Sequence, residues 1–250
     1  GTNAADDTSY DDATASPGLQ YYYWVTATNA LGSSPRSEPD TGFRRILAPT
    51  MTGATDGTST DHVEITWTGS EGATSYRVYR DTDADPAGAA DLGVLSSPAS
   101  DNSAVPGQQY HYWIMAIAAS SSSTSDWSTA NTGYRKLAEV AGLTASYDTY
   151  SDRVALAWTD GTGETGYGIW RNVANDSATA TFVDTAAANA TGYDDVSATP
   201  GTEYYYWVTA TNTTSASMGD FQASGALGRR LDVNLPQVTT TTITGITPGA

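Results

Sequence analysis

Few side chains in this 250-residue chain have the types and spacing that catalysis requires. The only histidines are His62 and His111, which fall in different predicted strands, and each is replaced in the sister segments of the chain. No nucleophile elbow, phosphate-binding glycine loop or HExxH metal pattern occurs. Cysteine is absent, which removes thiolate nucleophiles, thiolate metal sites and any disulfide framework. Carboxylates are plentiful, but a glycosidase pair needs a cleft between its two acids. The sequence therefore names no catalytic residue, and the expectation is that the chain is not an enzyme.

Two groups remain with binding chemistry. Asp81, Asp83 and Asp85 place three carboxylates at alternate positions of one loop, as calcium loops do. An EF-hand loop needs Gly at its sixth position and Glu at its twelfth, and Pro86 and Leu92 stand there. The expectation is a solvated acidic turn, no cofactor, and calcium only as a weak candidate. The pairs Asp11-Asp12 and Asp194-Asp195 read as turn residues as well. The second group is aromatic. Tyr79, Trp113, Trp170 and Trp207 are expected on the outward face of two strands, with Arg77, Arg135 and Arg229 near enough to stack on them. Exposed rings of this kind stack on sugars. Cross-strand aromatic pairs also stiffen a sheet from within, and recurrence in every repeat favours that architectural reading.

The charge balance narrows the partners. Lys and Arg number 11 against 28 Asp and Glu, a formal charge of -17, and Lys136 is the only lysine. So acidic a chain lacks the basic patch that nucleic acid demands and is repelled by anionic membrane surfaces. No apolar run approaches the roughly 18 residues of a membrane span. An extracellular or cell-surface location is expected. The sequons at Asn175, Asn189 and Asn212 permit glycosylation if the host performs it.

The elements that carry these residues come from a repeat. Residues 10–29 read YDDATASPGLQYYYWVTATN and residues 193–212 read YDDVSATPGTEYYYWVTATN. Between them, 101–118 read DNSAVPGQQYHYWIMAIA, so Trp24, Trp113 and Trp207 mark one position. HVEITW at 62–67 matches RVALAW at 153–158, and YRVYR at 76–80 matches YGIWR at 167–171. Each unit closes on a basic pair: FRRIL at 43–47, YRKL at 134–137, GRRL at 228–231. A period of about 90 residues is the size of a small self-sufficient domain. Within it the alternation has period two: Tyr204, Tyr206, Val208 and Ala210 fall on one face, Tyr205, Trp207 and Thr209 on the other. About seven short strands separated by Gly, Asp, Ser and Pro predict a two-sheet antiparallel sandwich.

This pattern resembles the fibronectin type III family, in a bacterial or archaeal extracellular protein. Trp67 and Trp158 match its core Trp late in the second strand; Tyr76/Val78 and Tyr167/Ile169 match its Tyr-x-Val pair. Pro17-Gly18…Tyr21, Pro106-Gly107…Tyr110 and Pro200-Gly201…Tyr204 match its Pro-Gly-x-x-Tyr turn, whose Tyr hydroxyl ties back to the preceding corner. The resemblance implies an all-β chain of tandem immunoglobulin-like sandwiches, with Trp67, Trp158, Tyr21, Tyr110 and Tyr204 in structural roles. It implies the C-terminal strands of one domain over 1–47, complete domains over 48–137 and 138–231, and a tail at 232–250 reading as the first strand of another. One departure is GALGRRL, where the aromatic of the other units (Phe43, Tyr134) is missing, which predicts a less regular final strand.

The first unit lacks its early strands, and a sandwich without them exposes core face and strand edges. Their expected source is a longer parent protein; the alternative is strand donation between identical subunits, with the tail as donor. Links between units are short and without Gly/Ser runs, so they are not flexible tethers. Leu47, Leu137 and Leu231 are expected to pack at the junctions. The role implied is a spacer, stalk or fibre segment whose partners are neighbouring domains or identical subunits. The alternative is an adhesion module binding polysaccharide or protein through the aromatic face.

Overall fold

The structure is a computed structural model and describes residues 1–233. The expected first strand of a further domain therefore lies almost wholly outside the described residues. The chain forms two compact units, Gly1–Lys136 and from Leu137 onward.

In the first unit, Val63, Ile65 and Trp67 alternate along Val63–Thr68 and all point inward, while Glu64 and Thr68 face out. Period two makes this segment a strand with one wet face. Thr50–Ala54 and Ala99–Asp101 flank it in a three-stranded antiparallel sheet. Opposite stands a second antiparallel sheet, ordered Ala90–Leu95, Ser75–Asp81, Tyr110–Ala118, with Ser123–Thr124 and Asn131–Gly133 both on the far side of the last. Val78, Tyr110, Tyr112 and Ile114 come inward from it to meet Trp67. The second unit repeats the plan. Thr144–Ala145, Val154–Ala157 and Gly192–Asp195 face Thr181–Ala187, Gly166–Asn172, Glu203–Asn212, Ser217–Met218 and Ala226–Arg229. Its core holds Val154, Leu156, Trp158, Tyr167, Ile169, Tyr206 and Val208. The chain is all-β, a tandem of immunoglobulin-like antiparallel sandwiches.

Residues 1–47 contribute only a two-stranded ladder, Gln20–Tyr23 against Asp40–Phe43, and a small hairpin, Thr28–Asn29 with Gly32–Ser33. This piece is part of the first unit. Its closing residue Ile46 is 1% exposed and packs on Ala116 and Ala118 of the sandwich. Leu47, expected at that junction, is 79% exposed, because the alternation of the extended chain turns its neighbour inward instead. Leu137 is buried in the core of the second unit, which begins one residue ahead of the start at 138 expected from the repeat.

Strand register also corrects the reading of the last strand. Tyr21 pairs with Gly42, Tyr110 with Gly133 and Tyr204 with Gly228. Gly228 is thus the counterpart of Gly133, and Arg229 stands where Tyr134 and Phe43 stand. A Cβ at Gly133 would lie 2.8 Å from Val63, and one at Gly228 2.8 Å from Val154, so both strands need glycine there. Ala226–Arg229 is regular over its whole length. The same offset removes Leu231 from the junction position: it is the counterpart of Lys136, and both donate a backbone N–H to the loop beneath, to Tyr150 and Ser59.

Candidate functional site: a covered aromatic face and an Asp–Arg–Tyr clasp

The outward aromatics were the best candidates for a binding platform. Trp113 lies opposite Tyr79 and Trp207 opposite Trp170, on the sheet face away from the core, so the register places all four as expected. Their exposure is not as expected: Trp113 is 3% and Trp207 1% exposed. The cover is the segment that follows each long strand. In the first unit Trp127 sets its ring edge-on to Tyr79, centroids 4.6 Å apart at 86°, and His111 stacks on Trp113. In the second, Phe221 and Phe182 lie edge-on to Trp170, and Gly225 sits directly over the Trp207 ring.

The covering segments are held by polar clips that the sequence reading missed. Ser128 Oγ accepts the N–H of Ile114 and Ser125 Oγ that of Ala116, both at 2.9 Å. The backbone N–H groups of Ser125 and Ser128 donate back to Ala116 and Ile114. In the second unit Gln222 replaces Ser128: its Oε1 accepts from Val208 N–H, and its Nε2 donates to the carbonyls of Val208 and Val140. A buried N–H left unpaired costs about 1–3 kcal/mol, so each clip secures the cover. The signal was present as Ser34-x-x-Ser37 and Ser125-x-x-Ser128.

The arginines expected over the aromatics are engaged elsewhere. Arg77 pairs with Asp91, and Arg135 donates to the carbonyls of Thr60, Asn102 and Ala104. Arg229 pairs with Asp148 and lies 4.6 Å over Tyr147.

The loop acids do not converge. Asp81, Asp83 and Asp85 each accept a backbone N–H from one or two residues further on, from Thr82, Asp85 and Ala87. Among the described residues, no group of three ligating side chains is arranged to hold a metal ion. Asn212 is buried, and its amide donates to the Gly163 carbonyl, which leaves that sequon closed in the folded chain.

The most ordered polar constellation is one read from sequence as a turn. Asp195 is fully buried, unlike its neighbour Asp194, which pairs with Arg153 at the surface. Arg171 donates to Asp195 at 2.5 Å, Tyr206 Oη at 2.9 Å, Ser197 Oγ at 2.6 Å and Ser197 N–H at 2.9 Å. The Arg171 guanidinium lies 4.7 Å over the Tyr204 ring. The first unit repeats this with Asp101, Arg80, Tyr112, Ser103 and Tyr110: Arg80 at 2.5 Å, Tyr112 at 3.0 Å, and the guanidinium 4.4 Å over Tyr110. Burial alone would raise both aspartates. The hydrogen bonds from Ser and Arg, with the Arg charge and the Tyr hydroxyl, outweigh it and hold both below the ordinary 3.8. Burial beside the carboxylates pushes Tyr112 and Tyr206 far above the usual phenol range. The clasp ties the third strand, the fifth strand and the long sixth strand of each sandwich together. It orders the fold.

The Pro-Gly-x-x-Tyr corner is present in all three copies. Tyr21 Oη accepts from Ser16 N–H at 3.3 Å, Tyr110 Oη from Val105 N–H at 3.4 Å, and Tyr204 Oη meets Thr199 Oγ1 at 3.3 Å. Trp67 and Trp158 are buried in the two cores, against Tyr76 and Tyr167.

No protein-family model matches the chain. No curated protein matches it. Among solved structures it is similar to a chicken tenascin segment of two fibronectin type III domains, at 15% identity, TM-score 0.48, over 72% of this chain and 97% of that one. It is similar to the chicken CNTN1 FN1-FN3 domains at 18% identity, TM-score 0.34, over 85% and 77% of the two chains. A Fn3-like protein from Clostridium thermocellum shares 26% identity, TM-score 0.33, over 37% of this chain and 92% of that one. The chain's own strand pairing, three strands against five with the tyrosine corner leading into the sixth, makes each complete repeat fibronectin type III-like in fold.

Proposed function

We propose that this chain is a structural segment, a spacer or stalk, of a secreted or cell-surface protein built from tandem fibronectin type III-like domains over 1–47, 48–136 and 137–231. The observation that carries this reading is the built junction inside the first unit. Ile46 is buried against the sandwich, Arg45 pairs with Asp126, and Ser120 Oγ donates to the Gly18 carbonyl at 2.6 Å. Gly72, at φ +80°, lets the Pro17-Gly18 turn approach so closely that a Cβ there would lie 1.9 Å from the Pro17 carbonyl oxygen. A flexible tether has no use for such fitting, whereas a spacer that fixes the angle between neighbours does. The polysaccharide-binding alternative loses its platform, since Trp113 and Trp207 lie under the covering segments. Among the described residues no helix is long and apolar enough to cross a membrane.

The test is tryptic cleavage of the native chain at Arg44 and Arg45. A seated junction resists, and Gly72→Val, which forces the turn off without entering the sandwich core, raises the cleavage rate more than about tenfold. Equal rates in the two proteins contradict the proposal.

A further inference from the structure

The outer sheet faces of the two complete repeats differ at matched positions. In the first unit Asp91 lies opposite Tyr79, Asp81 and Thr132 lie opposite His111, and Arg77 pairs with Asp91. In the second, Phe182 takes the place of Asp91, Asn172 that of Asp81, Tyr205 that of His111, Leu227 that of Thr132 and Gly168 that of Arg77. The charges at these positions are gone, and Phe182 and Leu227 are 53% and 39% exposed. Phe182 and Phe221 both stand edge-on to Trp170, and Gly225 lies against Trp207 and Tyr205, so the apolar surface runs on from Phe182 to Leu227. A feature confined to one repeat is not required by the fold, and a continuous exposed apolar surface marks association. The groups bordering it are engaged. Glu203 lies opposite Arg229, which pairs with it and with Asp148, and Asp176 caps the short turn Ser177–Thr179. Asn172 donates to the Asp176 carbonyl and to Thr179 Oγ1, and Asn175 bonds Ser224 Oγ and the Gly225 N–H. A sugar, which is oriented by such groups, would have to break these bonds.

We propose that this face pairs with the same face of a second copy of the chain, side to side about a two-fold axis. The chain carries a formal charge of -17, so a second copy is repelled over most of its surface. A basic partner would be drawn to the acidic surfaces and would gain nothing at an uncharged one. The uncharged apolar face is where two equally acidic copies meet with least repulsion. A two-fold contact needs only one such patch, set against itself. The first repeat, with Asp81 and Asp91 at the same positions, is closed to this pairing. The contact joins chains laterally and does not depend on the junction around Ile46.

The test is sedimentation equilibrium of the full chain at concentrations up to about 1 mM, in low and in molar salt. The expected result is a reversible monomer–dimer equilibrium that tightens at least about tenfold in molar salt, because screening removes the like-charge repulsion and leaves the apolar contact. Phe182→Asp, which installs the residue of the sister repeat, weakens dimerisation more than about tenfold. Leu227→Thr, which leaves the rings around Trp170 intact, weakens it about threefold or more. Val94→Asp, at a valine of the first unit that is 55% exposed, leaves it unchanged. A chain that stays monomeric to that limit in molar salt overturns the proposal. So does a dimer as tight in Phe182→Asp and Leu227→Thr as in the parent, or one weakened equally by Val94→Asp. Retardation by a neutral polysaccharide in affinity electrophoresis, lost in Phe182→Asp, would give the face to a sugar instead and overturn it as well.

Discussion

Residues 21–29 and 204–212 are the same nine amino acids, YYYWVTATN, in two surroundings. In the second copy they lie in one continuous strand, Glu203–Asn212. In the first they break into Gln20–Tyr23 and Thr28–Asn29 with extended chain between. Trp207 is 1% exposed and Val208 0%; Trp24 is 48% and Val25 73%. One edge is bonded in both: Val25 and Ala27 N–H donate to Ser37 and Ser34 Oγ, and Val208 N–H donates to Gln222 Oε1. The other edge differs, for only the second copy has a third strand beside it. Strand propensity is equal in the two, so burial and strand length here are set by cross-strand partners.

The comparison breaks most visibly at the tryptophan. Trp207→Ala removes a buried ring and is expected to cost about 3–5 kcal/mol, read from the denaturant midpoint. Trp24→Ala, at the same place in the same sequence, is expected to move that midpoint by less than about 0.5 kcal/mol. Equal losses would mean that the sequence, and not the neighbour, sets the burial.

The clasp gives a smaller effect. Asp195→Ala strands a partly buried guanidinium and a buried Tyr hydroxyl, for an expected loss of about 3 kcal/mol. Asp12→Ala leaves no arginine behind and is expected to produce no resolved change in the midpoint. Acid sharpens the same contrast. Asp101 and Asp195 have folded-state pKa values below 3.8, so their contribution is complete above that value and is lost as pH falls through the depressed one. Stability should therefore stay level down to about pH 4–5 and then fall, and the fall should be shallower in Asp195→Asn.

The sequence makes the architecture readable because a period of two and the Pro-Gly-x-x-Tyr corner are local properties of the chain. It also assigns Trp113 and Trp207 to the outer face correctly. It does not show that this face is covered, because the cover runs through segments such as 123–129 and 217–225 that have no periodicity of their own. Two serines or a glutamine hold them by accepting backbone N–H groups. Asp195 looks like a turn residue for a related reason: its partner Arg171 is distant in sequence, and only strand pairing brings the charges together. The offset at Gly228 hid a compensating exchange. Tyr134 packs over Gly57 in one repeat, and Arg229 pairs with Asp148 in the other, so aromatic contact is replaced by charge at one structural position.

The central claim is that a neighbouring strand, absent beside residues 21–29, is what closes residues 204–212. Amide hydrogen exchange on the intact chain, resolved to Trp24 and Thr26 against Trp207 and Thr209, tests it most directly. The account predicts protection of Trp207 and Thr209 by at least about a hundredfold over Trp24 and Thr26. Equal protection of the two pairs would contradict it.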